Sequence, residues 1–225
     1  MDVPVMQDIL GRNDAIATKN KALFDKHGIL ALNLLGSPGS GKTTLLERTI
    51  ANLKHDLKLA VIEGDLFTDK DADRIAAHDV PVIQINTNGG CHLDAPMVED
   101  VLKDLNLDDL DVIIIENVGN LVCPAEFVLG EDLKVTVLSI TEGDDKPLKY
   151  PIIFKESKAA VLNIVDILPF CDFDMESAKH DLKCIHPQIE IMETAAAKNQ
   201  GIDAWCDFIR REFKLKQQAL QAAAK

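Results

Sequence analysis

One short segment limits the folds open to this chain more than any other feature does. Residues 36–43 read GSPGSGKT, which fits the pattern G-x-x-x-x-G-K-[ST]. An apolar run precedes the segment and a stretch of helical length follows it, so the sequence predicts a strand, a loop and a helix in that order. Glycines let successive backbone N–H groups converge on phosphate oxygens, and the helix N-terminus adds positive potential. The segment therefore predicts a phosphate-binding loop for a nucleotide.

Each side chain of this loop has an expected role. Lys42 is predicted to reach the β- and γ-phosphates and to act in catalysis, and the Thr43 hydroxyl is predicted to bind Mg²⁺. The predicted nucleotide contacts of the loop are Gly36, Ser37, Gly39, Ser40, Gly41, Lys42, Thr43 and Thr44.

The rest of the chain alternates short apolar runs with charged amphipathic stretches. The predicted strands are Ile29–Leu35, Leu59–Ile62, Val82–Ile85, Val112–Ile115, Val135–Ile140, Ala160–Val165 and Ile189–Met192. The predicted helices include residues 4–27, Thr43–Lys54, Asp69–His78, Pro96–Asp104 and the tail Ile202–Lys225. Runs rich in Val, Ile and Leu without strict alternation are typical of strands buried on both faces of a parallel sheet. We therefore predict a doubly wound, mostly parallel α/β fold, with a helical lead over residues 1–28 and a single domain over residues 29–225.

Acidic residues follow two of the predicted strands. Asp65 comes after the second strand and Glu116 after the fourth, at the sheet edge where ligands of open α/β folds bind. We predict that both are catalytic and contribute to Mg²⁺ binding, and that the Gly119 N–H contacts the γ-phosphate. Asp71 and Asp73 are weaker candidates, since acidic residues at a helix start are equally well explained as solvated charges.

Residues 163–166 read NIVD, close to the N-K-x-D pattern of GTPases. In that pattern the Asp carboxylate accepts hydrogen bonds from guanine N1–H and from the exocyclic amine. Adenine lacks this donor pair and would leave a buried carboxylate unsatisfied. Asn163 and Asp166 are thus predicted to bind guanine, whereas Ile164 replaces the lysine and can supply only apolar contact.

Charge and cysteine content narrow the possible partners and compartment. With 24 Lys plus Arg against 37 Asp plus Glu, the net charge is −13. A chain this acidic has no general attraction for nucleic acid or anionic membranes. The first residues lack a basic start followed by an apolar run, and no apolar stretch approaches the ~20 residues that span a bilayer. We therefore expect a cytoplasmic protein, whose five widely spaced cysteines are thiols.

Several further segments, taken in order, carry a family resemblance. They are GSPGSGKTT, EGD with DADRI, GGCHLDA, ENVGNLVCPAEFVLGE, TEGDDKPLKYP and NIVDILP. From about Asp25 to Trp205 the chain resembles the HypB family, GTPases that help to insert nickel into [NiFe]-hydrogenases. The resemblance implies a P-loop protein of the class that dimerises around nucleotide and metal.

The resemblance also implies a metal site between two subunits, made by Cys91, His92 and Cys123. Thiolate and imidazole are good ligands for Ni²⁺ or Zn²⁺. Cys123 follows Glu116 and Gly119 closely, so a metal bound there could respond to the state of the nucleotide. Cys171, Cys184 and Cys206 are interpreted as ordinary small residues.

The function implied by the resemblance is Mg²⁺-dependent hydrolysis of GTP to GDP, coupled to nickel delivery by a homodimer. We expect slow turnover, because no sequence feature supplies an obvious arginine finger. The implied partners are a small zinc-containing accessory protein and the hydrogenase large-subunit precursor. Residues 1–26 contain neither a cysteine cluster nor a histidine-rich stretch, so we expect no nickel-storage role. Lys146 is a candidate for approaching nucleotide near the subunit boundary, with a plain surface lysine as the alternative.

Three other functions are alternatives to this interpretation of the sequence. A urease-maturation GTPase would carry Cys-Pro-His rather than adjacent cysteine and histidine. A small-molecule kinase would leave Asn163 and Asp166 unexplained, and a nonenzymatic metal scaffold would not need Lys42 and Thr43. Turnover of GTP and ATP with and without metal separates the three.

Overall fold

Strands and helices alternate along the chain. The structure, a computed structural model, describes residues 7–65 and 70–223. The strands in these ranges are β1 (Leu30–Gly36), β2 (Leu59–Asp65), β3 (Val82–Asn86), β4 (Val112–Glu116), β5 (Leu133–Ser139), β6 (Ala159–Asn163) and β7 (Glu190–Thr194). The helices are α1 (Gln7–His27), α2 (Lys42–Leu53), α3 (Lys70–Ala76), α4 (Ala95–Leu102), α5 (Cys123–Glu126), α6 (Lys146–Lys149), α7 (Pro151–Lys155), α8 (Met175–Ile185) and α9 (Ile202–Ala223). Short 3₁₀ helices cover Leu107–Asp109, Ile140–Glu142, Val165–Phe170 and Ala196–Lys198.

The strands form one sheet in the order β3-β2-β4-β1-β5-β6-β7, and every neighbouring pair is parallel. β1, β4, β5 and β6 are buried along their whole length, as expected of strands covered on both faces. This confirms the predicted doubly wound parallel sheet. The strand order reverses around the central β1, and this reversal places a ligand crevice at the carboxyl end of β1.

Helices cover both faces of the sheet. On one face, α2 and α9 pack on the even-numbered leucines of β1, and the buried Trp205 of α9 donates from Nε1 to Thr49 Oγ1 at 2.7 Å. On the other face, α1 and α4 pack on Ala31 and on the β2 and β4 side chains around the fully buried Phe24. A third apolar cluster lies between β5, β6, α7 and α8. Because β2, β4 and β1 are parallel neighbours between these two helical layers, their carboxyl ends lie side by side at one edge of the sheet.

Every predicted strand is present, with its ends displaced by at most three residues. The predictions for the fifth and sixth strands extend too far, because Ile140 and Val165 belong to 3₁₀ helices that turn the chain away from the sheet. The predicted leading helix ends as expected, with Gly28 in the left-handed region at φ 69°. Residues 4–6, Asp69, Ala224 and Lys225 of the predicted helices lie outside the described residues.

The predicted division of the chain at residue 28 stays a prediction. α1 contributes Phe24 to the same apolar cluster as β1 and β4. Across the ranges that the structure describes, no helix has both the length and the apolar character to cross a membrane.

Candidate functional site: a phosphate-binding cleft beside a cysteine–histidine cluster

The loop after β1 takes the shape that its glycines allow. Gly41 has φ 86°, in the left-handed region that glycine adopts without a steric penalty, and α2 begins at the next residue. A Cβ on Gly41 would lie 2.4 Å from Asn163 Nδ2. Glycine is therefore required at this position, both by the backbone angle and by the close approach of β6.

Lys42 and Thr43 lie at the N-terminus of α2, and both are buried. The Lys42 ammonium donates to the backbone oxygens of Gly36 and Ser37 at 3.3 Å each, so it already curls back over the loop. Thr43 Oγ1 donates to Glu116 Oε1 at 2.9 Å. The predicted Mg²⁺ ligands Thr43 and Glu116 are thus in direct contact, although 73 positions separate them in the chain.

A cleft of about 520 Å³ opens above this contact. Among the predicted site residues, those that line it are Gly39, Gly41, Lys42, Thr43, Thr44, Asp65, Glu116 and Gly119. Asp71 also lines the cleft, together with Ile164. Gly36, Ser37, Ser40, Asn163 and Asp166 do not line it, and Ser40 is fully buried beneath the loop. The structure therefore assembles most of the predicted phosphate site, whereas the predicted guanine-binding residues lie outside this lining.

Glu63 forms a buried acidic pair with Glu116, and the sequence reasoning missed it. The two residues are register partners on β2 and β4, and their side chains are 2% and 4% exposed. Burial, together with the Glu116 and Asp71 carboxylates, raises the pKa of Glu63 to about 10. Burial also raises the pKa of Glu116 to about 7, against the opposing effects of the Lys42 ammonium and the Thr43 hydroxyl. Near neutral pH, Glu63 is therefore a neutral acid that donates a hydrogen bond to Glu116.

Substituting Glu63 by Gln is expected to stabilise the nucleotide-free protein more at about pH 8 than at about pH 5. The carboxyl ionises near pH 4.5 in the unfolded chain but retains its proton to about pH 10 when folded. Wild-type stability therefore falls as pH rises through this window, whereas glutamine donates to Glu116 without binding a proton. The gain should reach roughly 1–3 kcal/mol at the higher pH. Urea unfolding in EDTA at both pH values measures it, and a gain independent of pH would contradict the assignment.

Asn163 joins the phosphate loop to the end of the sheet. Its Nδ2 donates to Ser40 O at 3.0 Å, and its Oδ1 accepts from Thr194 Oγ1 at 2.9 Å and from Ala196 N at 3.3 Å. Beyond it, Asp166 Oδ2 lies 3.0 Å from the Lys198 ammonium. The loop after β7 therefore forms one wall of the expected base site.

Ile164 occupies a strained backbone position, with φ 67° and ψ 29°. A β-branched residue rarely adopts this left-handed conformation, which costs roughly 1–2 kcal/mol.

Ile164→Asn is expected to raise the free energy of unfolding by about 1 kcal/mol, because asparagine tolerates these angles. Urea unfolding without nucleotide measures the change. Ile152→Asn, at an exposed position on α7, is the control, and an equal or larger gain there would refute the explanation by strain.

The second part of the site is a cluster of Cys91, His92 and Cys123. One ligand atom from each lies within 4.8 Å of the others, and Cys91 Sγ is 3.5 Å from His92 Nδ1. Cys91 and His92 lie in the loop between β3 and α4, and Cys123 begins α5 after β4. The sheet therefore brings Cys123 close to Cys91 and His92, more than 30 positions earlier in the chain, and these three predicted ligands could hold one metal ion.

The protonation of this cluster suits a soft divalent metal. Burial lowers the pKa of His92, which therefore stays neutral near pH 7 with a nitrogen lone pair available. Its ring packs on Phe127, with centroids 3.9 Å apart. A hydrogen bond with Cys123, and then burial, raises the pKa of the Cys91 thiol. A metal must displace thiol protons here, so its binding would strengthen as pH rises.

Three residues at the site escaped the sequence reasoning. Glu63 directly precedes Gly64-Asp65, and only the pairing of β2 with β4 reveals its contact with Glu116. Arg74 lines the cleft and bonds to Glu47, Asp71 and Thr44 Oγ1. Lys198 follows the last strand, β7, and pairs with Asp166. In the sequence, the signal for this residue is a basic side chain shortly after a predicted strand.

Fold and site together define a P-loop nucleotide-binding domain that carries a cysteine–histidine cluster at its ligand edge. Residues 30–193 match the family model "CobW/HypB/UreG, nucleotide-binding domain". The chain is 49% identical over 205 residues to the hydrogenase maturation factor HypB of Escherichia coli strain K12, covering 91% of this chain and 71% of that protein. The chain belongs to the CobW/HypB/UreG family, and within it to the HypB proteins.

Solved structures agree with this assignment. The crystal structure of HypB from Archaeoglobus fulgidus has a TM-score of 0.85 at 38% identity, covering 91% of this chain and all of that one. HypB from Helicobacter pylori, crystallised in complex with nickel, has a TM-score of 0.85 at 39% identity, covering 90% of this chain and 95% of that one.

Proposed function

We propose that this protein is a GTP-hydrolysing metallochaperone. It binds nickel, or zinc at the same site, between two subunits, and it delivers nickel during the maturation of [NiFe]-hydrogenase. The observation that carries the proposal is that the phosphate cleft and the cluster of Cys91, His92 and Cys123 share one chain segment. That segment, residues 116–123, begins at the Thr43 partner Glu116 and ends at Cys123.

The nucleotide half of the proposal rests on polar groups that line one cleft. Lys42, Thr43 and Glu116 are buried and present an ammonium, a hydroxyl and a carboxyl group to that cleft. Thr43, Asp65 and Glu116 form an oxygen donor set suited to Mg²⁺, which, when bound, neutralises phosphate charge. Lys42 exchanges two backbone oxygens for the β- and γ-phosphates. Water then attacks the γ-phosphorus, the bond to the β-phosphate oxygen breaks, and GDP and phosphate leave.

Turnover is expected to be slow. Arg74 lines the cleft, but its guanidinium bonds to Glu47 and Asp71 rather than pointing freely at the γ-phosphate. Stabilisation of the transition-state charge by a free arginine accounts for a large part of fast GTP hydrolysis. Slow hydrolysis fits a protein in which GTP controls the timing of metal transfer.

Guanine is the proposed base, held by Asp166 with Asn163 beside it. The Asp166 carboxylate is 15% exposed and lies 3.0 Å from the Lys198 ammonium, and its two oxygens can accept from guanine N1–H and the exocyclic amine. The Gly119 N–H is the proposed contact to the γ-phosphate, since a Cβ there would come within 3 Å of Pro38 in the phosphate loop.

Nickel is the proposed cargo of the cluster. Two thiols and a neutral imidazole are soft to borderline donors, which favour Ni²⁺ and Zn²⁺ over the Mg²⁺ that the oxygen ligands of the cleft select. The complex of H. pylori HypB with nickel supports the choice of metal for this chain.

A homodimer is proposed because an exposed apolar side chain directly precedes Cys123 and others lie on the neighbouring helices. Val122, Leu148 and Ile152 are 58%, 59% and 52% exposed. α5 and α7 are in contact, so Val122 and Ile152 belong to one region of the surface. Next to it, a groove is lined by Ser37, Gly119, Val122, Lys146 and Tyr150, which places Lys146 near the phosphate loop. Covering such a surface with a second copy would complete the coordination of the metal.

The remaining partners follow from membership of the HypB family. We propose a small zinc-containing accessory protein and the hydrogenase large-subunit precursor as partners, and the cytoplasm as the compartment. The net charge of −13 disfavours nucleic acid and anionic membranes as partners.

Nickel uptake measured in two nucleotide states tests the proposal. The wild-type protein is titrated with Ni²⁺ in the presence of Mg²⁺ and either a nonhydrolysable GTP analogue or GDP, while light scattering follows its mass. We expect a dimer with nickel bound in the GTP-analogue state, weaker nickel binding with GDP, and hydrolysis of GTP but not of ATP.

Lys42→Ala is the matched control, because it removes the phosphate contact and leaves the cluster intact. It should bind nickel but lose both hydrolysis and the effect of nucleotide. Equal nickel affinity and equal mass in both nucleotide states of the wild type would overturn the proposed coupling of GTP to nickel.

A further inference from the structure

Asn120 touches the phosphate loop and both metal-ligand segments at once. Its backbone N–H donates to Gly36 O at 3.0 Å, at the start of the phosphate loop. Its side-chain Nδ2 donates to Cys91 O at 3.1 Å, and its Oδ1 accepts from Val122 N at 2.9 Å, next to Cys123. Displacement of this residue would therefore move the carbonyl of one thiol ligand and the amide that precedes the other.

Asn117 makes a second, buried connection three residues earlier. Its side chain is 1% exposed, and its Oδ1 accepts from Leu93 N and from Val118 N, each at 3.0 Å. Leu93 directly follows His92 and is fully buried, with its side chain against Gly64 at the end of β2. Asn117 thus fixes the loop of Cys91 and His92 to the strand end that leads to Gly119.

From Asn117 a chain of buried polar groups continues to the helix of Cys123. Asn117 Nδ2 donates to Asn33 Oδ1 at 3.2 Å, and Asn33 Nδ2 donates to Glu131 Oε1 at 3.2 Å. Glu131 lies 3.8 Å from the ammonium of Lys134, which donates to Ala125 O at 2.7 Å. Ala125 lies in α5, two residues after Cys123. This series of hydrogen-bonded side chains therefore runs through the core from the segment of Cys91 and His92 to the helix of Cys123.

The chain of polar groups includes a buried ion pair, which is weak evidence for a stabilising role. The side chains of Lys134 and Glu131 are 7% and 4% exposed, and the cost of removing two charges from water offsets much of their attraction. Well-packed apolar residues of similar volume are often equally or more stabilising. Hydrogen bonds of fixed direction, by contrast, define one arrangement of the backbone segments that they join.

We infer that Asn117 and Asn120, with the buried chain Asn33–Glu131–Lys134, are positioning residues that couple the phosphate loop to the cysteine–histidine cluster. The inference rests on the proposed function and specifies how the nucleotide state reaches the metal. When residues 117–120 shift in response to the γ-phosphate, both metal-ligand segments shift with them, because each is hydrogen-bonded to an asparagine of that segment.

Nickel affinity in two nucleotide states tests the inference. The wild-type protein, Asn117→Ala and Asn120→Ala are titrated with Ni²⁺ with a GTP analogue and with GDP. We expect a wild-type affinity ratio of roughly 5-fold or more, falling to within about 2-fold in each variant. The sulfur-to-nickel absorption band and the affinity for GDP should be retained, since all nickel donors and phosphate contacts remain. A purely structural role would weaken metal and nucleotide binding together and leave the ratio unchanged.

Further variants keep the test decisive. Asn120 is partly exposed, so Asn120→Ala carries the test if Asn117→Ala fails to fold. Lys134→Met breaks the chain at Ala125 and should also reduce the ratio, whereas Thr49→Val removes a buried hydrogen bond to Trp205 on the opposite face and should not. A ratio retained in both asparagine variants overturns this inference alone. A ratio near one in the wild type overturns it together with the proposed function.

Discussion

Asp166→Asn is expected to convert a preference for guanine into a preference for xanthine. Guanine presents N1–H and an exocyclic amine, which suit the two acceptor oxygens of Asp166. Xanthine has a carbonyl in place of that amine, and the Asn amide supplies one acceptor and one donor to match. Each mismatched buried pair leaves a group unsatisfied, at a cost of about 1–3 kcal/mol. GTP affinity should therefore fall by roughly 100-fold or more, and XTP affinity should rise by a similar factor.

The change in base preference is measured by displacement of a fluorescent guanine nucleotide from the protein with GTP, XTP or ATP. Asp172→Asn, at an exposed carboxylate just beyond the 3₁₀ helix that contains Asp166, is the matched control and should change nothing. If Asp166→Asn bound GTP as well as the wild type does, Asp166 would not contact the base. Its ion pair with Lys198 would then be the whole of its role.

Cys91→Ser and Cys123→Ser are each expected to lower nickel affinity by at least about 100-fold. Serine preserves the size of the side chain but removes the thiolate, so a site shared by two subunits would lose one thiolate ligand from each of them. Nickel transfer from a competing chelator measures the affinity. Loss of the sulfur-to-nickel absorption band identifies the missing ligand.

Cys184→Ser provides the control for this prediction. Cys184 is also exposed, and its Sγ lies 3.4 Å from His180 Nε2 on α8, so it resembles the Cys91–His92 pair, but among the described residues this pair belongs to no group of three possible ligands. Its loss should leave nickel affinity within about 2-fold of the wild type. Equal losses in all three variants would show that nickel binds to cysteines without regard to the cluster.

The features that could be predicted from the order of amino acids are those whose chemistry is local. Residues 36–43 form a phosphate loop because glycine is the residue that fits Gly41, and Lys42 and Thr43 then fall on the first turn of α2. Buried strands were predictable because each must be apolar along its whole length, as β1 and β4 are. The ligand set Cys91, His92 and Cys123, by contrast, was implied by the resemblance to the HypB family, and the donor chemistry of thiolate and imidazole agrees with it.

Features that depend on register and on the order of strands could be seen only in the folded chain. The register of β2 against β4 places Glu63 beside Glu116, and a shift of one residue would have separated them. Packing forces Ile164 into a left-handed conformation that its own preference opposes. Asn33, Asn117 and Lys134 look like interruptions of apolar strands and loops when only the sequence is read. They become a connected chain only after β1 lies between β4 and β5, because hydrogen bonds between distant residues depend on three-dimensional placement.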